Sequence, residues 1–120
     1  MKLIILLWGL GWKMSRKSKS NPVIQDHIGD KELVFQLQTF SGAISRQFFV
    51  ANRRITSRWG KHADPILVIS FESAKLGAEV LTSETKQLTF MEALQSQKAK
   101  VEGDLTLFNW YIELGSLLNN

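Results

Sequence analysis

The sequence of 120 residues predicts one α+β domain preceded by a short arm. Two observations carry this. Between residues 33 and 59 apolar and polar side chains alternate in three short runs parted by turn signals, the period-two signature of strands. From residue 73 onward the apolar spacing lengthens to the threes and fours of helices, with one further short alternating run near residue 100. With 44% apolar and 10% aromatic residues the chain has the material for a single core.

Residues 3–12, LIILLWGLGW, are apolar on all sides, and residues 13–21, KMSRKSKSN, are basic and serine-rich, which reads as a linker or solvated arm. The expected organisation is therefore an N-terminal segment and linker at 1–21 and a folded body at 22–120. Asn21-Pro22 offers a helix cap and a first-turn proline and Gly29 a stop, so VIQDHI forms a helix of one or two turns. Leu33, Phe35 and Leu37 then alternate with Val34, Gln36 and Gln38 up to a turn at Ser41-Gly42.

The second strand, AISRQFFVA, puts Ile44, Phe48 and Val50 on one face and Ser45, Gln47 and Phe49 on the other. A turn at Asn52 leads into the third, RITSRWG, with Ile55 and Trp59 on one face. Together they make a meander. HADP at 62–65 breaks the pattern, and ILVISF follows as a nearly continuous apolar strand, the mark of a central position. Ser73 caps a helix carrying Leu76, Val80 and Leu81; Phe90, Met91 and Leu94 describe a second; and Lys98 to Glu102 alternates as a last strand. Gly103 turns the chain, and Asp104 is placed to accept from the amides of Thr106 and Leu107 at the start of the final helix.

Charge is uneven. The first 25 residues hold five basic and no acidic groups, and the remainder holds 10 basic and 11 acidic groups, so the net charge of +4 belongs to the arm. Cysteine is absent, which removes disulfides and thiolate chemistry and fits a reducing compartment. The apolar run at 3–12 would reach about 15 Å as a helix, half of a ~30 Å hydrocarbon core. Only Lys2 precedes it, while KMSRKSKS follows, whereas a secretory signal places its charges mainly before the apolar stretch.

The final helix is apolar over most of its circumference. Leu107, Trp110, Tyr111, Leu114, Leu117 and Leu118 form one stripe, Leu105, Phe108 and Ile112 widen it, and Thr106, Asn109, Glu113 and Ser116 form a polar edge. Such a helix covers something on two sides: a core alone, or a core on one side and an apolar pocket or membrane on the other.

Three stretches carry a family resemblance: ADPILVISF followed by LGAEVLT, then LTFMEALQSQKAKVEGD, then the apolar final helix. Over roughly residues 31–118 the chain resembles the sterol carrier protein 2 (SCP2) domains in their bacterial short form, most closely at Lys100 to Asp104. It departs from them at Gln97, where the family places a glycine, at Phe40-Ser41-Gly42, which replaces an Asp-Gly hairpin, and at the N-terminus, where an amphipathic helix is usual. The resemblance implies a five-stranded mixed sheet with helices packed on one side and an apolar tunnel between them. It also implies non-enzymatic binding or transfer of a sterol-like, fatty acyl or quinone-like lipid, with no cofactor. The walls of such a tunnel would come from Val80, Leu81, Phe90, Met91, Leu94, Leu107, Trp110, Tyr111 and Leu114, large apolar or aromatic residues suited to a lipid.

Other chemistry is thinly supplied. His27 and His62 read as surface histidines with no ligand-spaced cluster, SGAIS lacks the spacing of a nucleophile elbow, and no glycine-rich phosphate loop occurs, so neither an enzyme nor a metal site is expected. Arg46, Arg53, Arg54, Arg58 and Lys61 gather on the second and third strands, read as a solvated face rather than a nucleic-acid surface because the body is near neutral. The expected partners are an apolar lipid and an anionic membrane surface reached through Leu3–Trp12 and Lys13–Lys19. The competing reading docks Leu3–Trp12 on the domain itself or on a second copy as a homodimer. The expected location is cytoplasmic, peripheral on an inner membrane. A scaffold role, with the same fold binding a partner protein, is the alternative function.

Overall fold

The computed structural model describes residues 2–118. Its first helix, α1 (Lys2–Ser20), runs unbroken through the apolar run and the basic stretch. The linker expected at 13–21 is thus corrected: Leu3, Leu7, Gly11, Met14 and Ser18 form one buried seam at spacings of three and four, which continues across the change in composition at Lys13. The ends of the two expected segments, Met1 and Asn119 to Asn120, lie outside the described residues.

The other elements follow the expected order: α2 (Pro22–Ile28), β1 (Leu33–Thr39), β2 (Ser45–Ala51), β3 (Arg54–Trp59), β4 (Leu67–Phe71), α3 (Ala74–Thr82), α4 (Lys86–Gln95), β5 (Ala99–Gly103) and α5 (Leu105–Leu118). Asn21 caps α2, its Oδ1 accepting from the amides of Val23 at 2.9 Å and Ile24 at 3.4 Å. Ser73 caps α3 by accepting from Leu76 N at 3.1 Å. Asn52 and Arg53 both have positive φ, 54° and 60°, the requirement of a two-residue hairpin turn between β2 and β3.

The five strands form one mixed sheet in the order β3-β2-β1-β4-β5. The meander β1-β2-β3 is antiparallel, β4 lies parallel to β1, and β5 lies antiparallel to β4. β4 is an interior strand as its apolar run requires, although β1 is the middle one. The connection from β3 to β4 crosses the outer face of the sheet. There the amide of His62 donates to Gln36 Oε1 at 2.7 Å, and its ring meets Phe49 edge-on at 5.8 Å.

The five helices of the described residues lie on the opposite face. Phe35, Leu37, Phe48, Val50, Ile55, Leu67, Ile69 and Phe71 point into them and are almost fully buried. α1 covers the β3 edge: Ser18 Oγ accepts from Ile55 N at 3.0 Å, satisfying an amide that faces away from β2. Gly11 sits where any Cβ would collide with Ser57 Oγ, so glycine lets the helix axis approach the strand. Among the described residues no helix is long and apolar enough to cross a membrane.

Candidate functional site

The pose of α5 is fixed at three points. At its start Gly103 holds φ at 106°, and an added Cβ would collide with the Ile66 carbonyl; Asp104 N donates to that same carbonyl at 2.9 Å. Asp104 Oδ1 accepts from Thr106 Oγ1 at 2.6 Å and Thr106 N at 3.0 Å, while Leu107 N turns to the main-chain carbonyl of Asp104 at 3.1 Å. These bonds, the Thr106 hydroxyl first, hold the Asp104 carboxyl below the ordinary carboxylate range. At mid-helix Trp110 locks onto α2 through His27. At the end Lys17 Nζ donates to Leu118 O at 2.7 Å, a favourable place for a cation.

So held, α5 sends Trp110, Tyr111, Leu114 and Leu118 into the core, and Phe108 meets Phe90 edge-on at 5.4 Å. Its other side stands off from α3 and α4. Between the three helices lies an open cleft of about 240 Å³, lined by apolar Val80, Leu81, Phe90 and Ile112, by Tyr111 and Gly115, and at its mouth by Glu84, Lys86, Gln87 and Ser116. Burial pushes the Tyr111 phenol well above its ordinary value, so that it stays protonated. The volume lies just below the ~300–1,000 Å³ of sites for drug-sized ligands, enough for an alkyl chain or a single ring. What the site offers chemically is an apolar wall in which, among the described residues, Tyr111 is the one largely buried polar residue.

Four of the nine residues expected to line a tunnel do line this cleft: Val80, Leu81, Phe90 and Tyr111. The other five do not. Leu114 is fully buried and Leu94 packs against the core. Leu107 is half-exposed near the helix start. Trp110 faces α2, because a buried indole N–H needs an acceptor and finds it in His27 O. Met91 is 45% exposed, about a quarter-turn round α4 from the inward Phe90. Sequence reasoning missed Gly115, the residue that opens the α5 wall. A Cβ there would meet nothing within 4 Å, and a helix-interior glycine, costing about 1 kcal/mol against alanine, was the available signal.

Two further expectations change. His27 is not a surface histidine: its ring stacks on Trp110 at 5.4 Å with the planes 2° apart. The basic residues of β2 and β3 do not form one surface. Arg46 is buried under α1, bonded to Ser57 Oγ at 2.9 Å and 4.5 Å from the Trp59 ring; Arg58 covers Phe49 on the other face; Arg54 donates to Ser18 O; and Arg53 pairs with Asp26 at 3.7 Å. Alternation along β2 forces Arg46 inward beside Phe48 and Val50, where Ser57 and Trp59 receive it.

No family model matches the sequence, and no curated protein matches it either. Solved structures do. A "UbiJ-SCP2 Ubiquinone synthesis protein" superposes with a TM-score of 0.70 at 12% identity, covering 92% of this chain and 88% of its own. The sterol carrier protein domain 2 of Helicoverpa armigera gives 0.56 at 11% identity over 88% and 80%, and palmitated SCP2L2 from Aedes aegypti gives 0.53 at 17% over 100% and 95%. The sec-alkyl sulfatase PisA1 gives 0.58 at 13% identity, the match spanning 75% of this chain but 14% of the sulfatase. From its strand order, its one-sided helical layer and these likenesses, the chain has the sterol carrier protein 2 fold.

Proposed function

We propose that the domain binds an apolar lipid, acyl, quinone-like or sterol-like, in the cleft between α3, α4 and α5, and that it does so without catalysing a reaction. The carrying observation is the cleft itself, walled by Val80, Leu81, Phe90 and Ile112 and opened by Gly115. The names of the similar structures, a ubiquinone synthesis protein and a palmitated carrier domain, support the ligand class. Titration with a fluorescent fatty acid and a fluorescent quinone analogue tests it. Saturable binding of one of them at one site is expected, and no binding of either would favour the alternative role as a scaffold for a partner protein.

The same reading places the domain at an anionic membrane surface, peripheral on the cytoplasmic side of an inner membrane. One specific observation favours this. The outward face of α1 carries Ile5, Trp8 and Trp12 at spacings of three and four, Trp8 56% and Trp12 54% exposed, followed by Arg16, whose guanidinium lies 5.3 Å from the Trp12 ring. Trp59, 42% exposed at the end of β3, shares a surface groove with Ile4 and Lys61 beside this face. Tryptophans backed by cations suit the headgroup region of an anionic bilayer. Because Leu3, Leu7 and Met14 are committed to the core, α1 would lie on the membrane while still docked on the domain. In sedimentation with phosphatidylglycerol vesicles the full chain should pellet in a salt-sensitive way and a Trp8→Ser/Trp12→Ser variant should stay in solution. Equal pelleting by both would rule out this face.

A further inference from the structure

Among the described residues that line the cleft, Tyr111 alone is both polar and nearly buried. It is 8% exposed, its ring stands edge-on to Phe35 at 5.4 Å, and its hydroxyl has no hydrogen-bond partner among the described residues. The other polar lining groups, Glu84, Lys86, Gln87 and Ser116, are exposed at the mouth. A buried tyrosine ordinarily spends its hydroxyl on an acceptor, since an unpaired polar group in an apolar wall is costly. Here the described residues supply none, yet the hydroxyl is not sealed off as Gln47 Oε1 is: it reaches solvent, on a residue that lines the space the proposed ligand would fill.

We infer that the Tyr111 hydroxyl donates a hydrogen bond to a neutral acceptor oxygen of the bound molecule, a ketone, quinone or ester carbonyl, and so selects carbonyl-bearing apolar lipids over plain hydrocarbons. This rests on the cleft being the lipid site. The acceptor is neutral for a reason of supply. An ionised carboxylate needs several donors or a cation once it leaves water, and among the described residues the inner wall offers one hydroxyl and no cation. A fatty acid would therefore keep its carboxylate at the mouth, where Lys86 stands, and leave Tyr111 unpaired. In the empty domain solvent reaches the hydroxyl, so a ligand that displaces that water without offering an acceptor leaves it unpaired, which favours molecules carrying the acceptor over those of equal length without it.

Three eight-carbon probes test this: 2-octanone, n-octane and octanoate, each measured by displacement of 1-aminoanthracene from the wild-type chain and from Tyr111→Phe. The substitution should weaken 2-octanone by about three- to tenfold, the range of one net neutral hydrogen bond, while octane and octanoate, which leave the hydroxyl unpaired, should bind no more weakly than before. The unfolding midpoint of the ligand-free variant should not fall. An unchanged ratio of ketone to alkane affinity in the two proteins, with binding intact, overturns the assignment of Tyr111. A lowered midpoint also overturns it, because the hydroxyl would then already have a partner. Failure of the wild-type chain to bind any of the three overturns the cleft as the lipid site, and with it the assignment.

Discussion

His27 and Trp110, 83 residues apart, each donate to the other's main-chain carbonyl: His27 Nε2 to Trp110 O at 2.9 Å and Trp110 Nε1 to His27 O at 2.9 Å. Because a carbonyl only accepts, Nε2 carries the hydrogen. The stacked rings and paired bonds pin α5 to α2, so Trp110 positions the helix that forms one wall of the cleft without lining it. Trp110→Phe keeps an aromatic ring but orphans His27 O and should cost about 1–3 kcal/mol in urea unfolding. Affinity for an apolar probe, measured on the folded variant, should be unchanged.

The turn that launches α5 makes a second prediction. Gly103→Ala forces a Cβ against the Ile66 carbonyl at a φ that disfavours L side chains, and should cost at least ~2 kcal/mol. Asp104→Ala removes a bonded carboxylate whose folded pKa lies below its unfolded value, so the stabilisation is present above the ordinary carboxylate range and is lost as pH falls through the folded pKa. Chemical denaturation at a series of pH values should show the Asp104→Ala deficit at neutral pH and its disappearance in acid.

Gln97, where the SCP2 pattern has glycine, keeps the left-handed backbone with φ at 63°. The strain of a non-glycine residue there, about 1–2 kcal/mol, exceeds the ~0.5–1 kcal/mol of extra chain entropy that glycine loses on folding. Gln97→Gly should therefore raise stability by about 0.5–1 kcal/mol, read as a shift of the denaturation midpoint without a change in slope.

What could be read beforehand follows from where the determining physics is local. The strands from Leu33 to Trp59, the caps at Asn21 and Ser73 and the Gly103-Asp104 turn depend on neighbours within a few residues, and their chemistry is written in sequence order. The continuity of α1 was hidden because composition changes at Lys13 while the buried seam runs on to Met14 and Ser18. Arg46 was hidden because its partners, Ser57 and Trp59, come from the next strand. The cleft was half legible: the width of the α5 apolar surface announced that two sides are covered, but which side meets the core and which the gap is settled by α2 and α4. Hence Tyr111 and Phe90 were placed, whereas Met91 and Trp110 were not.

Gly115 gives the most direct handle on the central claim, since a larger side chain there has free space on the protein side and fills the cleft. Gly115→Leu should fold at least as stably as the wild type, because a helix-interior glycine costs about 1 kcal/mol, and yet lose the ligand. The measurement is native mass spectrometry of both proteins after incubation with lipid vesicles and removal of the vesicles. A one-to-one lipid adduct on the wild-type chain and its absence from Gly115→Leu is the expected result. A wild-type chain that carries no lipid, or a Gly115→Leu chain that carries as much, would contradict a lipid site between α3, α4 and α5.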